Sequence, residues 1–121
     1  LPSDTPITER EQAAWLAIRD NIHLAQSFVA GFTFESFVDD RKAFYAVTRC
    51  LEIISEASRR LRGPQQARFP ELEWRQIEAS GNVFRHAYDN VRERIVWTTV
   101  HERLPSLLAL ANSAVARDSA G

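Results

Sequence analysis

Phe44-Tyr45-Ala46-Val47-Thr48-Arg49-Cys50-Leu51-Glu52-Ile53-Ile54-Ser55-Glu56-Ala57-Ser58-Arg59-Arg60-Leu61 carries the pattern that decides the architecture. Phe44, Val47, Leu51, Ile54, Ser58 and Leu61 recur at alternating spacings of three and four, the period of one buried helical face. Asp39 or Asp40 precedes this run as an N-cap, where a carboxylate can accept the first unpaired amides. Gly63-Pro64 follows it as a stop signal. On the outer face Glu52 and Glu56 lie one turn apart, with Arg49, Arg59 and Arg60 a turn away, so they read as an ion-paired surface. No histidine stands beside them at ligand spacing, and no metal site is expected.

Working outward, the same period returns on both sides. Thr8 followed by Glu11 is a capping box that opens an earlier helix. Its stripe is Trp15, Ile18, Ile22, Ala25 and Val29, and it ends near Gly31. His23 lies beside that stripe as a partly exposed structural residue. Phe32, Phe34, Phe37 and Val38 show no sustained period and read as a connecting loop that tucks aromatics against the core. On the C-terminal side, residues 62–70 form a loop, and Pro70 suits the first turn of a third helix with Glu71 and Glu73 placed well against its dipole. Val91, Ile95, Val96, Trp97 and Thr98 mark a fourth helix that reaches Leu104, where Pro105 kinks or restarts it. Leu107, Leu108, Leu110, Ala111 and Val115 continue the apolar face. Four to five helices with short connections and no strand alternation imply an all-α, up-and-down helical bundle. Residues 1–121 form a single domain in this reading, with 1–7 and 117–121 as flexible ends.

The totals narrow the function classes. A chain of 121 residues is long enough for one modest core. Fifteen basic residues against sixteen acidic ones leave a net charge of −1, so any contact with RNA has to be a local patch. One cysteine, Cys50, excludes an intramolecular disulfide, fits a reducing compartment and reads as a small buried apolar residue. No apolar run approaches a membrane span and no signal-peptide pattern is present, so a cytoplasmic location is expected. The chain has no methionine, and Leu1 is not read as a translation start.

The polar residues that could do chemistry concentrate in Gly81-Asn82-Val83-Phe84-Arg85-His86-Ala87-Tyr88. At about 100° per residue, Trp74, Ile77, Gly81, Phe84 and Tyr88 share one side of the third helix. Arg75, Glu78, Asn82, Arg85, His86 and Asp89 gather on the other, within about 100° of arc. Such a helix is compatible with a purely solvated face, but three details favour a site. Asn82 is one turn from His86 and can select its tautomer. Arg75 and Arg85 border the same face and can hold a phosphate through charge-assisted hydrogen bonds. Gly81 costs about 1 kcal/mol relative to alanine inside a helix, which points to close approach of another helix. Tyr88 completes the apolar stripe and by itself reads as a core tyrosine whose hydroxyl reaches the surface at a helix end.

His86-Ala87-Tyr88 preceded by Asn82, after Pro70 and Trp74 and before Trp97 and Leu104-Pro105, resembles the HepT-like branch of the HEPN superfamily. Ile54-Ser55-Glu56-Ala57 resembles that family's second-helix signature, and the likeness covers most of the chain. It implies a HEPN-like helical bundle that forms a homodimer and a metal-independent endoribonuclease acting on RNA at the dimer cleft. It also implies a toxin–antitoxin pairing with a minimal nucleotidyltransferase of the MntA type, which neutralises the toxin by adenylylating the motif tyrosine. No cofactor is implied. Carried over by position, the catalytic histidine is His86, the asparagine Asn82 and the modified tyrosine Tyr88. The family's arginine falls on Gly81, a departure at a catalytic position. Arg85 lies one turn further and only about 40° around the axis, from which a guanidinium can reach the same cleft. The alternative is a nuclease-inactive HEPN module that serves as the partner or substrate of the nucleotidyltransferase.

Overall fold

A computed structural model describes residues 7–61 and 90–120, apart from the side chains of Val91 and residues 117–120. Helix α1 spans Glu9–Val29, α2 Phe34–Asp39 and α3 Arg41–Arg59. Helix α4 (Asn90–Thr98) passes through a π-helical turn at Thr99–Arg103 into α5 (Leu104–Ala120). The described residues are all-α, as the periodicities imply. Helix α1 packs most extensively on α3 and next on α5, so the core lies where these three long elements meet.

The predicted stripes are the buried faces. Trp15, Ile18, Ile22, Ala25 and Val29 of α1 face Phe44, Val47, Leu51, Ile54, Ser58 and Leu61 of the α3 segment, and all are buried. Full burial of an apolar side chain of this size contributes about 1.5–3 kcal/mol, which accounts for the dominance of this contact. Ser58 is tolerated in the stripe because its hydroxyl donates to the Ile54 carbonyl at 2.8 Å, leaving no unpaired donor. Leu107, Ala111 and Ala114 of α5 close the core, while Leu108, Leu110 and Val115 are half-buried at its margin.

The helix ends follow local chemistry. Thr8 Oγ1 accepts the Glu11 amide at 3.1 Å and donates its own proton to the Glu11 carboxylate at 3.1 Å. Beyond α1, Gly31 has φ +82°, the left-handed conformation that glycine adopts without the strain of a Cβ. Asp40 is the cap of α3: its carboxylate accepts the Ala43 amide at 2.9 Å. The Asp40 backbone amide also closes α2 by donating to the Phe37 carbonyl at 3.1 Å. One residue therefore ends one helix and starts the next.

One expectation changes. The aromatic stretch expected as a loop contains a short helix, α2. Thr33 and Ser36 form a reciprocal box, with Ser36 N–H donating to Thr33 Oγ1 at 3.1 Å and Thr33 N–H donating to Ser36 Oγ at 2.9 Å. Three phenylalanines obscured that cap, and too few turns follow it for a period to emerge. At Pro105 the helical backbone is continuous. The preceding turn widens, and Leu104 N–H reaches back to the Thr99 carbonyl. A π turn relieves the crowding that proline's ring imposes on the preceding turn. Thr99 Oγ1 donates to the Ile95 carbonyl at 2.7 Å, and the His101 ring reaches the Trp97 carbonyl at 2.8 Å, so side chains meet carbonyls around the register change.

Candidate functional site

Arg75, Gly81, Asn82, Arg85, His86 and Tyr88 lie outside the described residues. So do the loop at 62–70 and the helix expected from Pro70. The described chain resumes at Asn90, four residues past His86. Covalent geometry alone keeps their Cα atoms within about 14 Å, at roughly 3.6 Å per residue.

Asn90 opens onto a cavity of about 250 Å³. Among the described residues it is lined by Val38 of α2, Arg41, Phe44 and Tyr45 of α3, and Asn90, Arg92 and Glu93 of α4. The Arg41 guanidinium donates to the Tyr45 hydroxyl at 3.4 Å and lies 6.0 Å from the ring centroid. This hydrogen bond, followed by the charge itself, lowers the Tyr45 phenol below its ordinary value and raises Arg41, because the pair favours guanidinium beside phenolate. Arg92 adds to the depression through its charge. Its guanidinium carbon stands 5.1 Å from the Phe44 ring centroid, a cation–π distance, and its Nε is buried without a hydrogen-bond partner.

The cavity sits on a connected set of rings. Tyr45 meets Phe44 edge-on at 5.7 Å, Phe44 meets Phe37 at 6.1 Å, and Phe37 meets Trp97 at 5.4 Å. Trp97 carries Phe34 edge-on at 6.0 Å and the His101 ring at 4.1 Å. Arg94 lies 4.3 Å over Phe34. Three arginines from two helices thus lie against aromatic faces. The sequence reading did not single them out. Arg41 and Tyr45 are four apart, a visible local pair, but Arg92 over Phe44 joins residues with no local relation.

The outer face of α3 is as expected. Arg49 pairs with Glu52 at 3.6 Å and Arg60 with Glu56 at 3.6 Å. These exposed or partly exposed pairs tie the carboxylates to ordinary surface electrostatics. His23 is exposed and beside the α1 stripe. Cys50 is buried, and burial raises its thiol above the ordinary range.

A family model described as "Ribonuclease HepT-like" matches residues 18–114. The chain belongs to the HepT-like ribonuclease family. It therefore falls within the HEPN superfamily that the motifs resemble. The HepT-like match spans α1 to α5 and encloses the cavity as well as the motif stretch. Among relatives, the "Probable ribonuclease HepT" of Thermococcus cleftensis is 39% identical over 90 residues, covering 74% of this chain and 82% of that protein. A protein called "Putative RNase" in Methanocaldococcus jannaschii is 30% identical over 80 residues, covering 66% of this chain and 73% of its own length. No solved structure gives a significant match. Among the described residues, no helix is long and apolar enough to cross a membrane.

Proposed function

We propose that this HepT-like chain is the toxin of a toxin–antitoxin pair and a metal-independent endoribonuclease, homodimeric and cytoplasmic. The family match across residues 18–114 carries this reading, because ribonuclease is the activity named for that family. The constellation of Asn82, Arg85, His86 and Tyr88 supports it chemically. His86 takes the proton from a ribose 2′-hydroxyl, and the oxygen attacks the adjacent phosphorus. The bond from phosphorus to the 5′-oxygen breaks, and His86 of a second copy gives that oxygen its proton. The products are a 2′,3′-cyclic phosphate and a 5′-hydroxyl. Asn82 orients the imidazole, and Arg85 stabilises the charged phosphorane in place of the arginine that Gly81 replaces. Arg75 holds a neighbouring phosphate. A minimal nucleotidyltransferase of the MntA type silences the toxin by adenylylating Tyr88.

The test is cleavage of single-stranded RNA by the purified dimer, with product ends analysed. Wild type is expected to leave cyclic phosphates. His86→Ala and Arg85→Ala are expected to lose at least about 100-fold in rate, the usual scale for an acid–base group or a charge-stabilising group. Co-expression with the nucleotidyltransferase should add one adenylyl group, and Tyr88→Phe should prevent it. RNA left intact by wild type would sink the nuclease reading. Glycine at position 81 favours the second reading in that event: a HEPN module that binds the nucleotidyltransferase without cutting RNA.

A further inference from the structure

We propose that the cavity between α2, α3 and the start of α4 is a docking site for single-stranded RNA. Arg41 and Arg92 hold a backbone phosphate there, and the exposed Tyr45 ring stacks a base. RNA as the ligand class rests on the ribonuclease reading; the site itself rests on described residues.

Four observations converge. Among the described residues that line it, the cavity presents two guanidinium groups against one carboxylate, Glu93, whose charge acts on Arg41 without a direct ion pair. Asp40, next to Arg41 in the chain, accepts the Ala43 amide at 2.9 Å. The Arg92 Nε is buried without an acceptor, although an arginine has five N–H donors in a rigid fork suited to phosphate. Tyr45 is 55% exposed, among the most exposed large apolar rings of the described residues. Its edge is braced on Phe44 at 5.7 Å and its hydroxyl is held by Arg41, so the ring is pre-oriented as a stacking surface.

The combination matches single-strand recognition, in which cations follow the backbone and aromatic faces take bases. With a global charge of −1, electrostatic attraction of RNA has to come from local patches, of which this is one. Asn90, which lines the cavity, stands four residues after His86 in the sequence. Arg41 and Tyr45 contribute binding and positioning, and neither touches the scissile phosphate.

The experiment measures binding of a labelled oligouridylate to the full chain carrying His86→Ala, which leaves the probe intact, across a salt series. Arg41→Ala and Tyr45→Ala alter exposed side chains, and circular dichroism checks that both retain helical structure. Each is expected to weaken binding about ten-fold, the usual scale for losing one stacked base or one charge-assisted contact. Arg41→Ala should also lower the salt slope by about one, whereas Tyr45→Ala should leave it unchanged. Tyr45→Phe should bind nearly as the parent, because the stacking face remains. Glu93→Gln should tighten binding, which a structural role for this residue would not cause. Unchanged affinity in Arg41→Ala and Tyr45→Ala overturns the proposal, as does a parent that binds no RNA. So does Arg41→Ala that binds RNA normally but loses a co-expressed nucleotidyltransferase, since the face is then a protein-docking surface. The two readings fail separately. Wild-type cleavage with unaffected variant binding removes the docking site alone, and absent cleavage with the expected binding losses removes the nuclease alone.

Discussion

The ring of His101 lies 4.1 Å from that of Trp97, tilted by 34°, and its Nδ1 sits 2.8 Å from the Trp97 carbonyl oxygen. A carbonyl only accepts, so Nδ1 carries the proton and the lone pair of the neutral ring is on Nε2. His101 is exposed. Nitrogen NMR at alkaline pH should therefore show the Nδ1–H tautomer for His101. Observation of Nε2–H would mean that the contact with the carbonyl does not form in solution.

Arg41 should be visible in the titration of Tyr45. The guanidinium favours phenolate, so the folded-state value lies below the ordinary one. For an acid shifted this way, the stabilisation is complete above the unfolded pKa and is lost as pH falls through the folded one. Arg41→Ala should raise the Tyr45 midpoint in ultraviolet difference spectra, recorded with Tyr88→Phe to leave one tyrosine. An unmoved midpoint would contradict the pairing.

Cys50 should behave as a shielded thiol. It is 4% exposed, and burial raises its pKa, so thiolate is scarce at neutral pH and reagents cannot approach it. Labelling by an alkylating reagent should be slow in buffer and complete in denaturant. Equal rates in both would place Cys50 at the surface.

Phe37 links α2 to the rest of the protein through Phe44 and Trp97, and it is fully buried. Phe37→Ala should lower stability by about 3–5 kcal/mol in denaturant titration, the range for deleting a buried aromatic ring. Asp40→Ala removes only the α3 cap and should cost about 1 kcal/mol. A loss from Phe37→Ala no larger than that from the cap would mean that α2 does not pack as described.

Much of this architecture was legible because helix periodicity is a local property. Trp15 to Val29 and Phe44 to Leu61 declare their buried faces without reference to any partner, and Asp39-Asp40 offers a cap, of which the structure uses Asp40. Helix α2 was hidden for a related reason. Thr33 and Ser36 are a cap pair with serine where glutamate usually signals one, and six residues cannot display a period. Pro105 announced a disturbance, but its resolution by a wider turn depends on how α5 must lie against α1.

The candidate site divides along the same line. Asn82, Arg85, His86 and Tyr88, with arginine absent at position 81, are readable as a motif because their spacing is covalent. Their assignment stands on that motif and on the family, since they lie outside the described residues. By itself, the sequence determined an all-α HepT-like chain, its core stripes and the residues to test for chemistry. Only the tertiary structure brought Arg92 of α4 over Phe44 of α3 and opened the cavity between Tyr45 and Asn90. Periodicity says which side of a helix is buried. Which cation meets which ring across two helices depends on their axial offset and rotation, and these are settled by packing the whole core at once.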